Sequence, residues 1–139
     1  MKIAVSASGN DSRARVDPRF GRCTYFVLHD TEKDAYEAIS NTAAGASGGS
    51  GIQAAQRVVN AGVDAVLTGQ IGPNAFRVLE AAGVKCYTGA GGTVQEAVAM
   101  YQAGKLDPAD SATAMPHAGL GAGRDGGGGR GAGKGGRRS

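Results

Sequence analysis

Two arginines, a glycine and a thiol fall within five consecutive positions, Arg19-Phe20-Gly21-Arg22-Cys23. Guanidinium groups pair with anions through charge-assisted, often bidentate hydrogen bonds, and a glycine beside them lets the backbone approach a ligand closely. Cys23 adds a soft metal ligand whose thiolate is favoured by neighbouring arginine. The alternative is a small buried residue at the start of a strand, with the arginines facing solvent. A second chemical feature is a set of glycine-rich loops: Ser8-Gly9-Asn10, Thr68-Gly69-Gln70-Ile71-Gly72 and Thr88-Gly89-Ala90-Gly91-Gly92-Thr93. A fourth, Gly45-Ala46-Ser47-Gly48-Gly49-Ser50-Gly51, adds a flap over the same edge. Glycine bares backbone N–H groups, and a helix N-terminus carries about half a positive charge, so such loops suit an anion held largely by backbone. Tight turns alone also explain each loop taken singly.

The elements that must position these residues follow from periodicity. Lys2 to Ala7 is an apolar run ending in a polar turn, which predicts a buried strand. Thr24 to His29 and Ala35 to Ser40 flank Asp30-Thr31-Glu32-Lys33-Asp34 and predict a hairpin. From Gly51 to Ala61, the spacing of Ile52, Ala55 and Val59 predicts a helix closed by Gly62. Ala65-Val66-Leu67 is a short strand, and Pro73 opens a second helix, with Phe76, Leu79 and Ala82 on one face and Gly83 at its end. Val84 to Tyr87 is the next strand. Thr93-Val94-Gln95-Glu96 then has the form of a capping box, so a third helix runs from there toward Gly104. The result is an α/β domain with a mixed sheet of about five strands, an antiparallel hairpin beside parallel strands, and three flanking helices. Ligands of open α/β sheets sit beyond the carboxyl ends of parallel strands, where the three glycine loops belong.

Several chemistries are excluded by what is missing. Neither a phosphate-binding Gly-x-x-x-x-Gly-Lys motif nor a dinucleotide fingerprint between strand and helix is present. The strand interiors Ile3-Ala4-Val5 and Ala65-Val66-Leu67 hold no carboxylates for a two-metal nuclease. Ser6, Ser8 and Ser12 have no evident histidine relay, since His29 lies in a strand and His117 follows Pro116. Cys23 and Cys86 form no Cys-x-x-Cys pair, which argues against a zinc site or disulfide framework and for a reducing compartment. Cys86 alternates with Val84 and Thr88 as a core residue.

With 139 residues the chain has room for one ordinary domain. The composition, 41% hydrophobic and 19% charged, is that of a globular protein without a membrane-spanning run, and a cytoplasmic location is expected. The formal charge of +3 divides unevenly. Residues 118–139 carry five cations (Arg124, Arg130, Lys134, Arg137 and Arg138) against Asp125, a local +4, which leaves the first 117 residues at −1. That half-glycine tail lacks the apolar side chains to offset ordering entropy and reads as a disordered cationic arm. The expected organisation is a domain at 1–107, a linker at 108–117 and the arm at 118–139.

Residues 16–26 resemble the Phe-Gly-Arg-Cys/Ala-x-Tyr-Phe signature of the NifX and NifB C-terminal family of iron-molybdenum cofactor-binding domains, to which the orange protein of sulfate reducers also belongs. The likeness extends to Met1-Lys2-Ile3-Ala4-Val5, to Asn41, to Ala65 through Gly69, to Gly72-Pro73-Asn74-Ala75, and to Gly92-Thr93-Val94 with Glu96-Ala97, about residues 1 to 105 in all. It implies a ribonuclease-H-like fold that carries an anionic metal–sulfur cluster of Fe–S, Mo–Fe–S or Mo–Cu–S type, without turnover of its own. Arg19, Phe20, Gly21, Arg22 and Cys23 are then expected to face Ser8, Gly9, Asn10, Thr68, Gly69, Gly72, Asn74, Gly89, Gly91, Gly92 and Thr93, with Cys23 the candidate metal ligand. The expected partners are the inorganic cluster and the proteins that donate and accept it. Two other classes compete: weak, sequence-blind polyanion or nucleic-acid binding by the Gly/Arg arm, and a phosphate- or nucleotide-sensing domain that uses the same loops.

Overall fold

A computed structural model describes residues 1–42 and 50–109. The first strand, β1 (Lys2–Ala7), has five of its six residues buried and lies at the middle of the sheet. Its side chains alternate: Ala4 joins the core on one face, while Ile3, Val5 and Ala7 join that on the other. β2 (Tyr25–Asp30) and β3 (Ala35–Ser40) form the expected hairpin, with β2 antiparallel to β1. The Asp30 carboxylate accepts from the N–H groups of Glu32 (3.0 Å) and Lys33 (3.3 Å), which tightens the turn.

The second half supplies the strand–helix units. α1 (Ser50–Asn60) leads to β4 (Ala65–Leu67), α2 (Pro73–Ala81) to β5 (Lys85–Thr88), and α3 (Val94–Gln102) follows. β4 and β5 are parallel to β1 and to each other. Gly62, Gly83 and Gly104 lie just beyond the three helices with φ of 79°, 77° and 74°, the left-handed stop that a side chain would oppose. α3 begins with a complete capping box, in which the Glu96 N–H donates to Thr93 Oγ1 and the Thr93 N–H to Glu96 Oε1.

The sheet has six strands, ordered β3-β2-β1-β4-β5-β6, rather than about five. The addition is β6 (Asp107–Pro108), antiparallel to β5, and the Ala109 N–H bonds the Cys86 carbonyl at 2.8 Å. The ordered sheet therefore takes in the first residues of the expected linker, and a two-residue edge carries no periodicity by which to read it. α1 and α2 cover one face, where Ala54, Ala55, Val58 and Leu79 pack in the core containing Ala4, Phe26, Leu28 and Val66. α3 covers the other, with Val94, Ala97 and Val98 packed with Ile3, Val5, Val27 and Leu67. No described helix is long and apolar enough to cross a membrane. The cationic arm, His117 and positions 45–49 of the fourth glycine loop lie outside the described residues.

Candidate cluster-binding cleft

Because β1, β4 and β5 run in the same direction, the loops that leave them emerge on one edge of the sheet, as the sequence implies. That edge is not open. Residues 12–20 cross it, and Val16 N–H donates to Gly92 O (2.9 Å), Asp17 N–H to Ser6 O (2.9 Å) and Gln70 N–H to Pro18 O (2.7 Å). On the far side, Val94 N–H donates to Ala14 O (2.8 Å) and Gln95 N–H to Ser12 O (2.9 Å). The loops also bind one another through Gly89 N–H to Gly69 O (3.2 Å) and Ala90 N–H to Thr68 O (3.1 Å). The expected crown of ligand-facing amides is thus corrected: many of these donors are committed to the chain's own carbonyls.

Several expected site residues have structural tasks as a result. A Cβ on Gly69 would lie 2.7 Å from the Pro18 Cα, so this glycine is what lets the crossing strand lie against the β4–α2 loop. Thr68 is fully buried, with Oγ1 2.8 Å from Ser6 Oγ, which itself donates to the Asp17 carbonyl at 2.7 Å. Ser8 N–H donates to Arg15 O at 3.0 Å, Gly9 packs against Ala14, and Thr93 is a helix cap beside Gly92. Asn10, Gly89 and Gly91 stay exposed along this edge.

The opening lies to one side of it. Phe20–Arg22 form a short 3-10 turn, which sequence periodicity did not anticipate, and this turn packs against the start of α1: a Cβ on Gly21 would lie 3.1 Å from the Gly51 Cα. Phe20, Gly21 and Arg22 face Ser50, Gly51 and Ile52 of α1 and Gly72, Pro73, Asn74 and Ala75 of α2 across a cleft of about 200 Å³. Two helix N-termini therefore meet there, and neither first turn contains an acidic residue to neutralise it. Arg77 lies close by, its Nη2 donating to Asn74 Oδ1 at 2.7 Å. A larger hollow of about 300 Å³ is lined by Phe76, Glu80, Gly83, Val84, Lys85, Cys86 and Ala109, none of them among the expected site residues, and carries both an acid and a base.

The two arginines have different settings. Arg19 lies 3.4 Å from Asp17 through Nε, and its side chain is 65% exposed, so its charge is partly matched. Arg22 is exposed on the lip of the cleft. Cys23 leaves the turn into the core: it is fully buried, and its thiol lies 3.2 Å from the Phe20 carbonyl, to which it donates. Burial, helped by the Asp17 charge, pushes this thiol up to about 12, outweighing the hydrogen bonds from Ala7 and Asn41 that stabilise a thiolate. In this conformation the thiol is protonated at neutral pH and lies beneath the cleft rather than in it. Cys86 is likewise in the core and raised to about 12 by burial.

His29 sits at the opposite end of the sheet, paired with Ile3, its Nε2 3.7 Å from Asp34 and its ring 4.4 Å from that of Tyr36. Among the described residues no three His, Cys, Asp or Glu side chains gather in a metal-binding group. The residue that sequence reasoning left out of the site is Asn41. It is buried just after β3, and its Nδ2 donates to Cys23 O (2.8 Å) and Gly21 O (3.3 Å), from the far side of the turn that carries the arginine.

Residues 1–104 match the profile of the dinitrogenase iron-molybdenum cofactor family. The chain belongs to that family. The apo orange protein of Desulfovibrio gigas superposes with a TM-score of 0.78 at 40% identity, over 80% of this chain and 94% of that one. A NifB candidate of the DUF35 family from Thermotoga, solved by NMR, superposes with a TM-score of 0.69 at 40% identity, over 77% of this chain and 91% of its own. An uncharacterized protein of Methanocaldococcus jannaschii is 33% identical over 110 residues, 77% of this chain and 90% of its own length. In this member of the dinitrogenase iron-molybdenum cofactor family, the matched region holds every element of the sheet except β6.

Proposed function

We propose that this protein binds and hands on an anionic metal–sulfur cluster without chemical turnover, seating it at the cleft between the Phe20–Arg22 turn and the N-termini of α1 and α2. The observation that carries the proposal is the meeting of two helix N-termini, both free of acid, with Gly21 and Arg22. Sulfides accept hydrogen bonds, so a cluster of Fe–S, Mo–Fe–S or Mo–Cu–S type is held there by N–H dipoles and guanidinium rather than by thiolates. Such bonds are individually modest, about 1.5–3 kcal/mol each for a charged partner, which suits a cargo that must leave again for an acceptor protein. Cys23 is not needed as a ligand in this arrangement. Its place is structural unless the turn above it opens.

Membership of the dinitrogenase iron-molybdenum cofactor family and the likeness to the orange protein support the reading. The strand order β3-β2-β1-β4-β5, in which β2 alone runs antiparallel to the others, supports a ribonuclease-H-like fold. A reducing, cytoplasmic setting agrees with two free thiols. The test is anaerobic reconstitution of the full chain with sulfide and either iron or molybdate. Charge-transfer absorbance that co-elutes with the protein, and that falls about tenfold or more in retention on Arg22→Ala, is the expected result. Protein that stays colourless and metal-free with every combination overturns it.

The composition of residues 118–139 favours a separate, weaker activity, sequence-blind attraction of polyanions. Binding to homopolymeric RNA in a filter assay should fall steeply with salt and vanish when the chain is cut at His117.

A further inference from the structure

We infer that Asn41 is the positioning residue of the cleft: a latch that holds the Phe20–Cys23 turn in place, presents Gly21 and Arg22 to the cargo and seals the Cys23 thiol beneath them. The inference rests on the cleft proposed above as the cargo seat, but its first test does not. A 3-10 turn ends with carbonyls that have no partner inside the turn, and buried carbonyls must find one. Here the Asn41 side-chain amide supplies it, donating to Gly21 O at 3.3 Å and Cys23 O at 2.8 Å, with Cys23 Sγ 3.7 Å away. The Asn41 backbone is fixed as well, its N–H donating to Thr24 O at 2.9 Å. One buried side chain thus ties the residues on both sides of Arg22 to the end of β3, while Phe20 holds the start of the turn through its ring on Phe26 and its N–H to Gln70 O, and Gly21 packs on the start of α1.

The arrangement has a consequence for the thiol. Cys23 Sγ donates to Phe20 O at 3.2 Å, so it stays covered only while the turn keeps that carbonyl over it. Removing the Asn41 amide leaves two carbonyls to seek water, and the cheapest way to reach it is for the turn to lift. Cys23 then becomes accessible while Cys86, buried within β5 and away from the turn, does not.

Asn41→Asp keeps the shape and removes the donor, and Asn41→Ser removes it without adding charge. Each variant and the parent are treated, metal-free and folded, with N-ethylmaleimide, and the alkylation of Cys23 and Cys86 is followed separately by peptide mass spectrometry. Cys23 should react about tenfold to a hundredfold faster in the variants, the range set by the loss of hydrogen bonds to buried carbonyls, with Cys86 unchanged. An unchanged Cys23 rate, or equal acceleration of both cysteines, overturns the latch. Should neither variant fold, the parent still decides: NMR must show the Asn41 side-chain amide protons slow to exchange and close to Cys23, and rapid exchange refutes the inference. Reconstitution with iron and sulfide separates the two proposals. Loss of charge-transfer absorbance in Asn41→Ser against a coloured parent supports the positioning role, and retention of full absorbance there refutes it. A colourless parent removes the cargo seat and leaves the alkylation result to judge the latch.

Discussion

Gly69→Ala is the substitution that most directly separates a glycine kept for a ligand from one kept for the chain's own crossing. An added methyl would lie 2.7 Å from both Cα and Cβ of Pro18 and 3.0 Å from its carbonyl oxygen. Carbon atoms in contact settle at about 3.5–4.0 Å, so the two backbones must part by close to an ångström. Overpacking of this kind costs about 1–3 kcal/mol. The parting also stretches Gln70 N–H to Pro18 O (2.7 Å) and Phe20 N–H to Gln70 O (3.3 Å), each worth about 1 kcal/mol net. A loss of about 2–4 kcal/mol follows, which for a domain of about 100 residues lowers the melting temperature by about 10–30 °C. Gly91→Ala is the matched comparison: nothing lies within 4 Å of its added methyl and its φ is not in the left-handed range, so it should stay within about 0.5 kcal/mol of the parent. Thermal unfolding followed by circular dichroism, backed by urea titration, measures both. Equal melting of Gly69→Ala and the parent would refute the reasoning, as would a loss of similar size in Gly91→Ala.

Other outcomes follow from the same contacts. Thr93→Ala should cost about 1 kcal/mol in urea unfolding at pH 7 while leaving cluster uptake intact, because its hydroxyl caps α3. The N–H and hydroxyl of Thr93 hold the Glu96 carboxyl below its usual range, so the bond from the Thr93 backbone N–H to Glu96 acts above that range and weakens as the pH falls through it in parent and variant alike, whereas the hydroxyl's own contribution should persist into acid. The buried thiols work in the opposite sense. Cys23 and Cys86, each raised to about 12, bind protons more tightly folded than unfolded, so stability should fall as pH rises from about 9 toward 12, by up to about 1.4 kcal/mol per unit for each thiol. Replacing Cys86 by Ala should flatten that alkaline slope, and urea midpoints at pH 8 and 10.5 decide it. Arg19→Ala should reduce cluster retention less than Arg22→Ala, since Arg22 lines the cleft and Arg19 does not, and the two can be compared by metal analysis after gel filtration.

The order of strands and helices was legible because each element announces itself locally. The apolar run at Ile3–Val5, the capping box at Thr93–Glu96 and the glycines after three helices need no tertiary information. Parallel pairing also followed from the alternation of strand and helix, and it placed the three glycine loops on one edge as expected. What could not be read was which backbone donors on that edge remain free. Segment 12–20 has no period of its own, and its pairing with Ser6, Gln70 and Gly92 is set entirely by residues distant in sequence. The same applies to β6, to the 3-10 turn and to Asn41, whose side chain meets the turn about 20 positions away. The Phe-Gly-Arg-Cys resemblance pointed to the segment that lines the cleft without saying that its thiol turns inward.

The way the edge is filled explains why the cleft sits where it does. An open α/β sheet offers its ligand site beyond the parallel strands, and this chain spends that position on itself, threading residues 12–20 through the loops. The threading consumes amides but delivers Phe20, Gly21 and Arg22 to the side of the sheet where α1 and α2 begin. Phe20 anchors the delivery, nearly fully buried with its ring 5.1 Å from that of Phe26, so Arg22 is carried on a fixed base rather than on a free loop. Two helix N-termini give this place a partial positive charge that suits the anion proposed above, and the guanidinium adds charge without a covalent bond. The cleft is assembled from three separate pieces of chain, the turn, α1 and α2, so under the proposed function a displacement of Gly21 and Arg22 alone would weaken the hold without unfolding the sheet. On the proposed reading, release of a cargo would need Gly21 and Arg22 to swing away from the anchored Phe20, and the hydrogen bonds from Asn41 to Gly21 and Cys23 oppose that movement.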